Sequence, residues 1–146
     1  MYLVPPNRTT SFLVALTRLL LRSTLSKIYL ALRPVVLFTC GMTKCPFCYK
    51  LAVETWLAPV VFIYLHEATQ YVLLGSEVEL KLGGSYVEPR GRPRRPRLAL
   101  IAGIAVPAAV GVTTWFLAPM FSTIIFIATI LTLLRYVGDQ ESGGGV

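Results

Sequence analysis

The chain has 146 residues, 55% of them hydrophobic and only 14% charged, with a net charge of +7. That balance excludes an ordinary water-soluble domain. Positive charge set beside long apolar runs argues for anchoring at a membrane and against nucleic-acid binding.

The charges are segregated: residues 1–50 contain seven Lys or Arg and no acid, whereas all seven acids lie from Glu54 onward. Within this basic N-terminal region, Ser11 to Arg33 places Arg18, Arg22, Ser26 and Arg33 in a narrow arc at 100° per residue, with Lys27 opposite. The spacing predicts a basic amphipathic helix in the membrane interface, its Leu, Val and Ile buried and its arginines reaching the headgroups. An acid-free segment with Arg and Ser also has the composition of an organelle transit peptide. A secretory signal fits poorly, because Arg18 and Arg22 interrupt its apolar core.

Cys40, Cys45 and Cys48 follow within nine residues. An odd, tightly spaced set is no disulfide framework. Val35 to Thr39 leading into Cys45-Pro-Phe-Cys48 locally resembles a glutaredoxin strand and its Cys-Pro-x-Cys turn, where the first thiol becomes a nucleophile. The same cysteines suit a zinc or iron cluster, or simple apolar packing.

Residues 51–141 read as a membrane core with three spans, and residues 142–146 as a flexible tail. The first span, about 51–75, is long enough to cross but carries Glu54, His66, Glu67 and Gln70. Residues 98–118 hold no charge and reach the roughly 20 residues a crossing requires. Residues 119–137 are apolar until Arg135, and Pro119 marks the break where the chain turns back.

The intervening loop, 76–97, opens with the alternation Glu77-Val78-Glu79-Leu80-Lys81-Leu82 and a Gly83-Gly84 turn. Ser85 to Val87 would return, with Pro89 as the stop, giving a small β-like hairpin. It ends in Arg90, Arg92, Arg94, Arg95 and Arg97, a membrane-surface cluster that places the loop and the C-terminus in the cytoplasm by the positive-inside rule. The expected fold is therefore all-α and integral to the membrane: three transmembrane helices, an N-terminal amphipathic helix and one cytoplasmic hairpin.

Chemistry concentrates at the single histidine. His66 lies in an apolar helix, Glu67 follows it, and Gln70 stands one turn on, on the same face. Ionisable groups inside a membrane are costly and mark functional positions. The spacing is that of His-Glu-x-x-His, in which two histidines bind zinc and the glutamate activates water, with Gln70 in place of the second histidine. An amide oxygen is a neutral and weaker zinc ligand than imidazole.

With a Gly-rich hairpin, a small-residue span (ALIAGIAVPAAVG) and a last span ending in Gly138-Asp139, residues 51–141 resemble the membrane-embedded zincins, the site-2 protease-like intramembrane metallopeptidases. The resemblance implies zinc as cofactor, with His66 as first ligand, Gln70 as a degenerate second, Asp139 as third, and Glu67 as general base. It further implies cleavage of peptide bonds in or near the membrane, with the Glu77–Leu82 strand offering an edge to an extended substrate.

Two other readings stand beside this one. The chain could be a non-catalytic membrane subunit that binds partner helices through GxxxG-like surfaces and lipid through its basic residues. It could instead be a membrane thiol- or metal-handling protein that uses Cys40, Cys45 and Cys48.

Overall fold

A computed structural model describes residues 2–44, 46–81 and 87–143. Five helices and a small sheet follow in the order β1 (Tyr2–Val4), α1 (Thr9–Arg22), α2 (Thr24–Thr43), α3 (Pro46–Leu74), β2 (Val78–Leu80), β3 (Val87–Pro89), α4 (Pro96–Thr114) and α5 (Pro119–Gly143). The expected Gly83-Gly84 turn, Cys45 and the last three residues lie outside the described residues, as does the side chain of Cys40.

Helices α3, α4 and α5 are each long and apolar enough to cross a bilayer, so the protein is polytopic, with three candidate spans. Each begins on a proline, Pro46, Pro96 or Pro119. A fixed φ suits the first helical position, and the missing N–H costs nothing there. The end of α3 is set by Gly75, whose φ of 60° is open to glycine at little cost. The freed Leu74 carbonyl accepts a 3.0 Å bond from the Arg94 N–H, which ties the loop back to the helix.

The three spans pack on one another, α4 through a stripe of small residues. Ala99, Gly103, Pro107 and Gly111 recur every four positions and are all buried. Outward-facing side chains are apolar over most of the bundle, among them Ile101, Phe116, Leu117, Ile130, Leu131 and Leu134. A contiguous apolar surface of this kind is what lipid contact requires. Because Gly103 and Gly111 are used inside the bundle, they offer no surface to a partner helix.

Gly111 shows how tight the stripe is. A Cβ there would come within 2.9 Å of the Phe126 ring. Gly111→Val is expected to lower the stability of the detergent-solubilised protein by about 1–3 kcal/mol, the usual cost of overpacking, measured by denaturant titration.

The sheet caps the loop end of this bundle. Its order is β1-β2-β3, antiparallel throughout, with Leu3 opposite Glu79 and Glu79 opposite Glu88. The β2–β3 pairing of the expected hairpin is present, and residues 82–86 lie outside the described residues. The returning strand includes Pro89, opposite Val78, which is admissible because β3 is an edge strand. The free edge expected on Glu77–Leu82 is not: β2 is the central strand, paired on both sides, so no substrate strand can add to it. Glu79 and Glu88 are like charges placed opposite each other, which is unfavourable. Lys81 offsets this by reaching Glu88 at 2.6 Å and Glu79 at 3.9 Å. The Glu88 hydrogen bond, with the nearby Glu79 charge, pushes the Lys81 ammonium above the ordinary lysine range.

The N-terminal amphipathic segment is two helices rather than one. Ser23 is extended (φ −70°, ψ 138°), and its carbonyl accepts the Lys27 N–H at the start of α2. The apolar face of α1 (Phe12, Leu16, Leu19) is taken up by α3 and the sheet, where it meets Val4, Tyr71, Leu74, Val78 and Leu80. Val35 to Thr39 continue α2, so the strand that a glutaredoxin-like turn needs is absent there. Cys48 lies exposed in the first turn of α3.

Candidate functional site

Polar positions in the C-terminal halves of α3 and α5 meet beside the N-terminal half of α4. His66 is stacked on Phe62, ring centroids 5.7 Å apart and planes within 8°, which fixes the imidazole against the bundle. Its Nδ1 lies 2.7 Å from the Gly103 carbonyl oxygen on α4. A carbonyl can only accept, so Nδ1 carries the proton and the Nε2 lone pair is available. A backbone carbonyl orienting one ring nitrogen is the common support of a histidine that ligates a metal through the other.

This contact depends on Gly103 lacking a side chain. A Cβ would stand 3.1 Å from His66 Nδ1, 3.1 Å from Gln70 Cγ and 3.2 Å from Gln70 Nε2. The close approach of α4 therefore serves both the packing and the orientation of His66.

His66 and Gln70 open onto a cavity of about 130 Å³ that is also lined by Thr132, Arg135, Tyr136 and Asp139 of α5, with Leu100 and Ile104 as its apolar wall. The four α5 residues recur at helical spacing and form one face. Thus His66, Gln70 and Asp139, expected together from sequence, do line one space. Thr132, Arg135 and Tyr136 were not expected there. Their signal was available as the polar positions i, i+3, i+4 and i+7 of an otherwise apolar helix.

Glu67 is placed differently. One residue on from His66, it is rotated about 100° around α3 and is not among the residues that line the cavity. It is buried, at 5% exposure, and its Oε2 has no hydrogen-bond partner among the described residues. Glu54 is a second buried carboxylate on α3, 3.8 Å from Lys50. Among the described residues no group of three His, Cys, Asp or Glu side chains lies close enough to hold a metal ion. The cavity lining includes one imidazole, one carboxylate and one amide.

No protein-family model matches the chain. Nor does any curated protein or solved structure match it significantly.

The five arginines of the loop stand apart from the cavity. Arg90, Arg92, Arg94, Arg95 and Arg97 are exposed around the start of α4, and Arg90 is 3.9 Å from Glu79. Their charge suits the headgroup region of a bilayer.

Proposed function

We propose that this chain is a polytopic membrane protein whose helices α3 and α5 build a divalent-cation site, a divergent relative of the membrane-embedded zincins that does not hydrolyse peptides. The observation that carries this reading is the convergence of His66, Gln70 and Asp139 on one cavity, with the His66 Nδ1 held by Gly103 so that Nε2 is free to ligate. His66 through Nε2, Asp139 through its carboxylate and Gln70 through its amide oxygen would hold zinc, which when bound supplies Lewis acidity. Hydrolysis needs a base beside that site, and Glu67 is directed elsewhere on α3. That placement supports a non-catalytic reading.

The test is the zinc content of detergent-purified protein. Near one zinc per chain is expected for wild type and for Cys45→Ser/Cys48→Ser, with loss in His66→Ala and in Asp139→Ala. Zinc lost only with the cysteines would move the site to residues 40–48. No zinc in any sample would remove the cation reading and leave a structural membrane subunit.

Two variants refine it. Gln70→His replaces an amide with imidazole and is expected to tighten zinc binding at least about tenfold, without producing peptidase activity. Cleavage of a membrane peptide by this variant would show that Glu67 reaches the site after all. Arg135 adds a positive charge to the cavity wall, so Arg135→Gln is expected to raise zinc affinity by about threefold to tenfold in a titration, the scale of one partly screened charge interaction.

The five loop arginines support a cytoplasmic placement of residues 76–97 and of the C-terminus. A cysteine-free background carrying Gly91→Cys is then expected to react with a membrane-impermeant maleimide only after permeabilisation.

A further inference from the structure

Helices α1 and α2 pack along one side of α3. Phe12 stacks on Tyr71 at 4.3 Å, the Thr17 hydroxyl meets the Tyr64 hydroxyl, and Tyr29 stacks on Trp56 at 5.1 Å. Around the last two contacts the three helices enclose a cavity of about 420 Å³. That volume falls within the range of about 300–1,000 Å³ of small-molecule sites. Its α3 wall, from Pro59 to Tyr64, is at the middle of that 29-residue candidate span. Thr17, Leu30 and Pro59 of the lining are exposed, so the cavity opens on the outside of the bundle, at the level where a bilayer would surround α3.

The lining divides by chemistry. Leu20, Leu30, Pro59 and Ile63 are aliphatic, whereas Thr17, Ser23, Ser26, Tyr29 and Tyr64 bring hydroxyls. Among the described residues, none with a charge lines the cavity. An ionised ligand would therefore leave water without a counter-charge in the wall, which is costly. A neutral and largely apolar occupant is favoured.

The hydroxyls also set the sense of the hydrogen bond. Thr17 Oγ1 donates its one proton to the Leu13 carbonyl at 2.8 Å. Towards Tyr64 it can then only accept, so the Tyr64 proton is committed to Thr17. What this pair has left for a ligand is lone pairs. About 12 Å along α3, at the level of Trp56, Tyr29 donates its proton to the Trp56 carbonyl and is likewise left as an acceptor. Both partners of the Thr17–Tyr64 contact line the cavity, but Trp56 does not, so acceptor capacity is greater at the Tyr64 end.

We propose that this cavity binds a neutral lipid alcohol, its aliphatic body against Leu20, Leu30 and Ile63 and its hydroxyl donating to the Tyr64 oxygen. A ketone or an ether has no proton for that oxygen and could accept only from Ser23 or Ser26. A fatty acid would bring a charge that the walls do not answer. The site shares no lining residue with the His66 cavity and does not depend on metal.

The test measures binding of two tritiated alcohols, hexadecanol and cholesterol, to the full chain in detergent, each displaced by unlabelled alcohol or by its own methyl ether. At least one is expected to saturate near one molecule per chain and to be displaced at least about tenfold more effectively by the alcohol than by the ether, the scale of one buried hydrogen bond. Thr17→Val/Tyr64→Phe is expected to bring alcohol and ether within about threefold, whereas Tyr29→Phe keeps the preference. Val60→Trp/Ile63→Trp, which fills the cavity, is expected to weaken alcohol and ether alike. The proposal would be overturned if neither alcohol bound saturably, or if the ethers or hexadecanoate displaced as well as the alcohols. So would it be if the preference were unchanged in a Thr17→Val/Tyr64→Phe protein that runs as a single species.

Discussion

Gly103→Leu is expected to remove both the fold and the chemistry of the His66 cavity. The Cβ alone would lie 3.1 Å from His66 Nδ1 and Gln70 Cγ, and a leucine adds three further carbons in the same direction. Neither neighbour can retreat freely, because His66 is stacked on Phe62, itself part of the packed α3–α5 contact with Ala58 and Ile125. The helices must separate, and the expected cost is about 3 kcal/mol, the upper part of the range for overpacking. The Gly103 carbonyl would then withdraw from His66, so zinc content should fall even in the fraction that remains folded. Gly103→Ala, with one carbon, is expected to cost about 1 kcal/mol and to weaken zinc without abolishing it. A leucine variant with wild-type stability and zinc would show that α4 does not approach α3 as closely as described.

Phe12→Ala is expected to release the N-terminal elements while leaving the three-helix bundle assembled. Phe12 is fully buried, stacked on Tyr71 and clustered with Leu16, Leu19, Val78 and Leu80. Truncating such a ring typically costs about 3–5 kcal/mol. The loss falls on one contact region, where α1 and β1 meet α3 and β2. Tyr71 adds a second tie there, its hydroxyl donating to the Pro5 carbonyl and accepting from the Arg8 N–H at 2.9 Å. The expected result is faster amide exchange through β1 and α1, with α4 and α5 unchanged and zinc retained, a sub-global opening. Loss of zinc together with α1 protection would mean that the two halves of the fold are a single cooperative unit.

Much of the architecture was legible because its signals are long. Residues 98–118 and the run after Pro119 announce spans by length alone, and Val78 to Leu80 alternates as a strand must. The strand β1 was not legible: Tyr2 to Val4 is three residues, and its partner lies 76 positions away. The break at Ser23 carries no Pro or Gly, so one amphipathic pattern ran across two helices. Serine just before a new turn was the signal available. Val35, Val36 and Phe38 have strand-forming side chains, yet they lie within a 20-residue helix, where length outweighs local propensity.

At the candidate site, the face shared by His66 and Gln70 followed from helical spacing, whereas Asp139 of the last span was expected there from the resemblance to the membrane-embedded zincins. Glu67 was the misleading residue. Adjacency in a short motif suggests common purpose, but one residue along a helix is 100° around it, and only the packing of α1, α4 and α5 decides what that direction faces. Arg135 read as a charge near a helix end, whereas it lines the cavity one turn before Asp139. Gly103 read as a packing glycine, and its carbonyl also orients the histidine.

The central claim is that His66 and Asp139 act on one ion from two helices, and a double-variant cycle on zinc affinity tests it most directly. Zinc would be titrated into wild type, His66→Ala, Asp139→Ala and the double variant, each first shown to be folded and monodisperse. Each single change is expected to weaken binding by more than about a hundredfold, and the double variant to be little worse than either, because one ligand already lost leaves the other little to hold. Additive losses, or single variants that bind zinc as wild type does, would contradict a shared site.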